Sequence, residues 1–408
     1  MKILQENHHG FSTILALSLI PLSGFATDVY IPSLPSMARD LHVSASAIQL
    51  SMVLFMFSSG ISQIFVGSVL DSFGRFKIGI GALFVFSLSS VIIAVFPNIY
   101  VLYAMRIIQG ITISLIVVGK RAYFVDIYSG EKLKNYISMF SIIWACAPII
   151  APFAGGYLQS LFGWQANFYF LGILSLAFLI LELIYSGESL KDFQLFKIRP
   201  IVNVYGNMLR TVDFYTGLLI LGACFGMLVI YNMSSPFIIE HVFGFSAVAT
   251  GYSSLLSGFS VMTGGIIAKR LIDAPLTRKV TTALIAQIIT VTLMITTAPL
   301  ISNIYTLVGF TIFLHVCGGF IFNVIYGYCL SRFSKNAGTA SGITGGVMFI
   351  ASSLLSYGLA SLYTVESQGL LGIANLSLTL FIIVLFLVFN KQRKAATAER
   401  IANAAALS

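Results

Sequence analysis

The sequence predicts an all-α membrane protein of twelve transmembrane helices in two six-helix bundles. Three observations predict it. The 408 residues are 58% hydrophobic and only 9% charged, with a mean hydropathy of +0.95; average soluble chains carry about 25% charged residues. Apolar stretches near the ~20 residues that a bilayer core requires recur along the whole chain. The basic residues fall in alternate loops, and the longest polar connection lies mid-chain.

On that yardstick the spans lie near residues 11–35, 46–69, 78–96, 99–121, 136–158, 166–186, 213–236, 247–268, 279–298, 301–330, 339–362 and 368–389, the long tenth stretch including some loop. The first 36 residues mimic a signal peptide, with Phe25-Ala26-Thr27 as a loose cleavage site. Cleavage would leave an odd number of spans and break the loop-charge alternation, so a retained span is expected.

The net charge of +9 reads as topology. Arg39 follows the first span and Arg106 lies inside the fourth. The other basic residues cluster as Lys2; Arg75 and Lys77; Lys120, Arg121, Lys132 and Lys134; Lys191, Lys197, Arg199 and Arg210; Lys269, Arg270, Arg278 and Lys279; Arg332 and Lys335; Lys391, Arg393, Lys394 and Arg400. The intervening loops near residues 97, 163, 240, 299 and 365 carry no Lys or Arg. This positive-inside pattern places both termini in the cytoplasm and gives no reason to invoke nucleic acid.

The longest connection, residues 187–212, holds Glu188, Lys191, Asp192, Lys197, Arg199, Pro200 and Arg210. It predicts a first bundle over 1–186, a cytoplasmic linker over 187–212, a second bundle over 213–390 and a cytoplasmic tail over 391–408, as for a parallel repeat about an axis normal to the membrane. The repeat is faint: Arg106-x3-Gly110 has a counterpart in His315-x3-Gly319. Small residues at four-residue spacing, Ala147/Ala151/Gly155 and Gly338/Gly342/Gly346, let helix backbones approach closely. Cys146, Cys224, Cys317 and Cys329 stand singly in apolar context and are expected as buried packing thiols, without disulfide or metal.

Of the 14 acidic residues only Asp28 and Glu182 fall inside a hydrophobic span. A charge at such depth costs roughly 2.5–3.5 kcal/mol on insertion scales and is usually kept for a function. Asp28 is therefore expected to be the proton-binding group of an ion-coupled transporter. By helical rise it lies roughly 25 Å along the first span, and Arg106 about 9 Å below the outer end of the fourth, at ~1.5 Å per residue. Both fall in the outer half of the bilayer. Glu182, about 21 Å into the sixth span by the same rise, is expected to snorkel to the cytoplasmic surface. His8 and His9 are expected to face solvent.

Four stretches carry a family resemblance. They are Asp28-Val29-Tyr30-Ile31-Pro32-Ser33-Leu34-Pro35; Gly67-Ser68-Val69-Leu70-Asp71-Ser72-Phe73-Gly74-Arg75-Phe76-Lys77; Arg106-Ile107-Ile108-Gln109-Gly110 followed by Arg121-Ala122 and Asp126-Ile127-Tyr128; and Ala147-Pro148-Ile149-Ile150-Ala151-Pro152-Phe153-Ala154-Gly155-Gly156, with Gly163-Trp164 beyond it. Together they resemble the bicyclomycin/chloramphenicol resistance (Bcr/CflA) branch of twelve-span drug:proton antiporters in the major facilitator superfamily. The motifs cover residues 28–164, and the second half agrees in span count. Ser72, Phe76 and Val125 stand where the family pattern carries basic residues, which implies a cytoplasmic charge network with fewer partners.

The resemblance implies the major facilitator fold, with spans 1 and 4 lining a central cavity. Asp28 and Arg106 are then expected to share a polar network near Tyr30 and Gln109, whose balance of burial against Arg106 sets proton affinity. Gly67, Asp71, Gly74 and Arg75 are expected to form a cytoplasmic gate. Pro148, Ala151, Pro152, Gly155 and Gly156 are expected to bend span 5 and seal the cavity. Candidate liners of an apolar substrate pocket with a few polar groups are Tyr30, Gln109, Tyr231, Asn232, Phe237, His315, Asn323 and Tyr326.

No GxxxxGK[ST], HExxH or GxSxG occurs, which argues against ATP-driven export or hydrolase chemistry. The expectation is a monomeric, proton-coupled exporter of small amphipathic molecules in the bacterial inner membrane, needing protons and no other cofactor. Its partners are the cargo and the lipid bilayer. An endogenous cargo such as a siderophore, sugar or amino-acid derivative is the alternative. A membrane sensor or embedded enzyme has no supporting feature.

Overall fold

The computed structural model describes residues 4–193, 198–333, 337–363 and 365–406; Lys2, Lys197 and Lys335 of the basic loops lie outside them. Helices joined by short connections make up most of these residues. The first span is broken into α1 (His9–Leu19), α2 (Leu22–Asp28), a 3-10 turn (Ile31–Ser33) and α3 (Leu34–Asp40). A continuous first helix was the simpler expectation. Pro21, Pro32 and Pro35 each remove a backbone donor there, and each stands at an element start rather than inside one.

The remaining elements of the first half are α4 (Ala45–Phe73), α5 (Arg75–Val95), α6 (Ile99–Ile127), α7 (Gly130–Phe162) and α8 (Gln165–Tyr185). Ser44 starts α4 by accepting from the Ala47 N–H at 3.2 Å, and Asn98 starts α6 by accepting from Tyr100 and Val101. The polar connection contains its own helix, α9 (Ile198–Leu209). The second half follows as α10 (Val212–Phe237), a π-helical turn (Ile238–Val242), α11 (Ala247–Arg270), α12 (Leu276–Thr297), α13 (Ile304–Arg332), α14 (Ala337–Tyr363) and α15 (Gln368–Ala406). Among the described residues ten segments are long and apolar enough to cross a membrane, counting His9–Asp40 as one. The two further bundle helices are α7, with an apolar stretch over Cys146–Phe162, and α11, rich in Gly and Ser.

One hydrophobic cluster gathers residues from Leu19 to Leu179 and a second residues from Met208 to Phe389. Val229, Met233 and Phe237 of α10 belong to the first cluster, so α10 ties the bundles together. The bundles meet along two seams. Toward the face opposite the basic loops, α7 lies on α11: a Cβ on Gly156 would stand 2.7 Å from the Ala247 carbonyl oxygen, and one on Gly251 2.9 Å from that of Pro152. Gln49 Nε2 donates to the Met233 carbonyl at 2.8 Å near the same face. Deeper, α4 lies on α14 at Gly60 and Gly346, each of whose added Cβ would come within 2.8 Å of the other's carbonyl oxygen.

Three expectations change. Glu182 does not reach the surface: it is 1% exposed and accepts from Lys120 Nζ at 2.5 Å, because α6 brings an ammonium to its depth. Cys146 is exposed and Cys317 partly so, whereas Cys224 and Cys329 are buried, and none of the four is in a disulfide among the described residues. His8 is half-buried with its ring edge-on to Tyr185.

Candidate functional site

Asp28 ends α2, and the chain breaks immediately after it. The carboxylate is 6% exposed and Arg106 fully buried. Arg106 packs over two rings, its Cζ 4.6 Å from the Tyr30 centroid and 4.1 Å from that of Phe55. Its Nη1 donates to the Ala26 carbonyl at 2.9 Å and to Gln109 Oε1 at 3.0 Å. Gln109 passes the chain on, donating from Nε2 to Ser90 Oγ at 2.8 Å. The other guanidinium nitrogens, Nε and Nη2, are buried with no hydrogen-bond partner among the described residues.

Asp28 and Arg106 form no ion pair within 4.0 Å among the described residues. The direct bond of the guanidinium goes instead to the carbonyl two residues before Asp28. An enclosed carboxylate beside a fixed cation, with no bond of its own to break, can gain or lose a proton with little rearrangement. Tyr30 closes the group, its hydroxyl 3.3 Å from Ser51 Oγ.

A planar guanidinium suits this slot because it stacks on rings while bonding in its own plane. Arg106→Lys keeps the charge but loses the stacking and one bond. We expect a destabilisation of about 1–3 kcal/mol, read as a lower Tm of the purified protein; an unchanged Tm would contradict this packing.

In the second bundle His315 is buried on α13, Nδ1 2.7 Å from Ser257 Oγ of α11 and Nε2 3.3 Å from the Met227 carbonyl of α10. Tyr231 lies edge-on to the imidazole at 5.4 Å. On α10 and α11 the buried polar atoms Tyr231 OH, Asn232 Oδ1, Ser234 Oγ, Ser235 Oγ, Thr250 Oγ1 and Ser254 Oγ have no hydrogen-bond partner among the described residues. The remaining candidate liners sit elsewhere. Phe237 packs into the first hydrophobic cluster, and Asn323 bonds to its own helix at Gly319 while facing Gly265. Tyr326 stacks on Phe322 of its own helix.

At the basic face, Gly74 takes φ +90°, the left-handed region that lets α4 turn directly into α5. Arg75 pairs with Asp71 at 3.0 Å, donates to the Ala122 carbonyl at 3.0 Å and pairs with Asp126. Gly67 has open space around it, so packing does not demand a glycine there. Residues outside the recognised motif complete this cluster. Glu188, just past α8, accepts from the backbone N–H groups of Arg75 and Phe76 at 3.0 Å each, and Ser189 donates to Asp126 at 2.8 Å. An anion on a helix N-terminus is recognisable only once the loop is folded against it. The second bundle has a comparable buried cluster: Asp213 accepts from Arg332 Nε at 2.9 Å and from the Tyr328 hydroxyl at 2.5 Å.

Glu188→Gln removes the carboxylate charge at the start of α5 and replaces one of its two accepting oxygens by a donor. Hydrogen bonds to charged groups contribute about 1.5–3 kcal/mol. The variant is expected to change the maximal transport rate about tenfold or more while leaving the half-saturation concentration within about twofold. Equal changes in both would place Glu188 in cargo binding.

In span 5, α7 passes through Pro148 and Pro152 without interruption. Ala151 is fully buried, and a Cβ on Gly155 would fall on the Val29 carbonyl of the broken first span. The glycines of the α7 motif thus touch two partners: Gly155 the segment that carries Asp28, Gly156 the opposite bundle.

A helical protein of two bundles, with ten segments apolar enough to cross a membrane and a buried Asp28 and Arg106 in its first bundle, belongs to the class of polytopic membrane proteins. The comparisons give the family. The model of the Major Facilitator Superfamily matches residues 17–356, and the chain belongs to that superfamily of transporters, not enzymes. The chain is 30% identical over 174 residues to the bicyclomycin resistance protein homolog of Haemophilus influenzae, covering 42% of this chain and 44% of that one. It is 23% identical to multidrug resistance protein D of Escherichia coli, over 92% of this chain and 94% of that one. The inward-open xylose transporter XylE of Escherichia coli superposes with a TM-score of 0.69 at 16% identity, over 91% and 95% of the two chains, which shows shared fold.

Proposed function

We propose that the protein is a proton-coupled exporter of small amphipathic compounds, working by alternating access in the bacterial inner membrane with its basic loops and both termini in the cytoplasm. The observation that carries this reading is Asp28: a buried carboxylate at a helix break, unpaired, beside a guanidinium locked in place by Tyr30, Phe55, Ala26 and Gln109. Arg106 is fixed while the segment bearing Asp28 has broken backbone on its far side. Rocking of the bundles then changes the water access of Asp28 more than that of its partner, and proton affinity follows conformation. The drug-resistance names of two relatives support this choice of cargo class over an endogenous metabolite.

The cations argue the same way. Arg106 is fully buried against the Tyr30 and Phe55 rings and Lys120 is engaged by Glu182, so neither is offered to an anionic cargo. The hydroxyls and amide left without protein partners near Tyr231 support a wetted path. Each buried polar atom left unsatisfied costs about 1–3 kcal/mol, a cost that water or cargo relieves when the outer seam opens. Residues Asp71, Gly74, Arg75, Asp126 and Glu188 hold the cytoplasmic turn.

The test uses inverted membrane vesicles energised with a proton gradient, to which bicyclomycin or chloramphenicol is added while internal pH is followed by fluorescence. Compound-dependent proton efflux is expected with the wild-type protein. Facilitated movement of the compounds without any proton flux would reject the coupling.

A further inference from the structure

Away from the seam between the bundles, α11, α12 and α13 enclose a lateral cleft of about 490 Å³. Its origin is local. α11 and α13 pack backbone to backbone: a Cβ on Gly264 would stand 2.6 Å from Phe320 N, and one on Gly319 2.9 Å from Val261 Cα. α12 leans instead on α13 and α15. A wedge opens between α11 and α12, with Val316, Cys317 and Phe320 of α13 as its floor and Ile267, Leu271 and Ala286 on its walls. Ile267 and Leu271 are more than a third exposed, so the cleft opens sideways.

The mouth at the basic face is charged. Arg278 and Lys279 line the cleft, and Lys269 and Arg270 stand in the last turn of α11, four cations against the one carboxylate Asp273. Lys279 is partly used, donating to the carbonyls of Leu271 and Ile272 at 3.1 and 3.0 Å and so closing the C-terminus of α11. Arg278 is exposed and makes no hydrogen bond or ion pair among the described residues.

We propose that this cleft is a binding site for an anionic phospholipid, with an acyl chain along Ile267, Leu271 and Phe320 and the phosphate at Arg278. The cleft calls for an occupant that is apolar over most of its length, anionic at one end and resident in the bilayer. Free phosphate fills none of the apolar wall, and a zwitterionic lipid does not match the charge excess at the mouth. Basic pockets between transmembrane helices take anionic headgroups in this way. Occupancy braces α12 against α11, which share little direct packing.

Cys317 on the floor supplies the reporter, since Cys224 and Cys329 are buried and Cys146→Ser removes the remaining exposed thiol. The full-length Cys146→Ser protein is placed in nanodiscs of phosphatidylcholine, alone or mixed with phosphatidylglycerol. Alkylation of Cys317 by N-ethylmaleimide is timed, and bound lipid is counted by native mass spectrometry. Phosphatidylglycerol should slow alkylation, and Arg278→Gln should weaken that protection about fivefold, the factor for about 1 kcal/mol per basic residue near the membrane surface. Ala286→Trp, which fills the cleft without altering charge, should protect Cys317 in either lipid and remove the bound phosphatidylglycerol. Equal alkylation in both lipids, or the same phosphatidylglycerol count retained in Arg278→Gln and Ala286→Trp, would overturn the assignment. So would protection by an exported compound in phosphatidylcholine alone, which would make the cleft a cargo site.

Discussion

Asp28→Asn is expected to abolish pH-driven export while leaving membrane expression near the wild-type level. The reason is the asymmetry of the site. Arg106 is held by two rings, one backbone carbonyl and Gln109, none of which involves the carboxylate. The asparagine therefore removes a titratable group without removing a structural bond, and the fold should tolerate it. What disappears is the single buried carboxylate beside Arg106. Export under an imposed proton gradient should fall to the background of vesicles lacking the protein, and exchange of compound across the membrane without a gradient should persist. An isosteric variant that still concentrates its cargo against a gradient would remove Asp28 from the mechanism, and a variant protein that is lost from the membrane would show the carboxylate to be structural.

The second large effect is expected at Gly155. An added Cβ would coincide with the carbonyl of Val29 and stand 2.7 Å from its carbon. The obstacle is backbone rather than the end of a flexible side chain, so relief requires α7 to move away from the first span. Such overpacking costs about 1–3 kcal/mol. Val29 adjoins Asp28, so the displacement shifts the coupling residue directly. Gly155→Ala should cut transport at least about tenfold, the equivalent of roughly 1.4 kcal/mol on the rate-limiting barrier. Gly67→Ala serves as the contrast: nothing lies within 4 Å of that position, so transport should be unchanged and the helix slightly favoured. Comparable losses at both positions would mean that glycine is required for helix flexibility and not for this contact.

Much of the architecture was legible because a bilayer imposes simple rules. Apolar length marks spans and loop charge marks sides, and both act on the sequence one segment at a time. Asp28 and Arg106 stood out for the same reason: a charge within an apolar run is costly wherever its partner lies. Contacts that depend on two distant segments were not legible. Lys120 and Glu182 lie on separate spans, and only the packing of α6 beside α8 turns a presumed surface acid into a buried ion pair. Glu188 reads as a linker charge until its loop folds back on the start of α5. The breaks in the first span did have local signals in Pro21, Pro32 and Pro35, but the apolar run around them hides a change of helix direction. Among the polar candidates, Asn323 shows the limit of residue type as a guide: its amide is spent on Gly319 of its own helix.

The central claim is that Asp28 carries a proton whose affinity depends on the state of the transporter. The most direct measurement is proton release by the purified protein in weakly buffered detergent solution, recorded with a pH indicator on addition of a compound that the vesicle assay shows to be exported. The account predicts a release from the wild type that is absent in Asp28→Asn. A release of equal size from both proteins would contradict it.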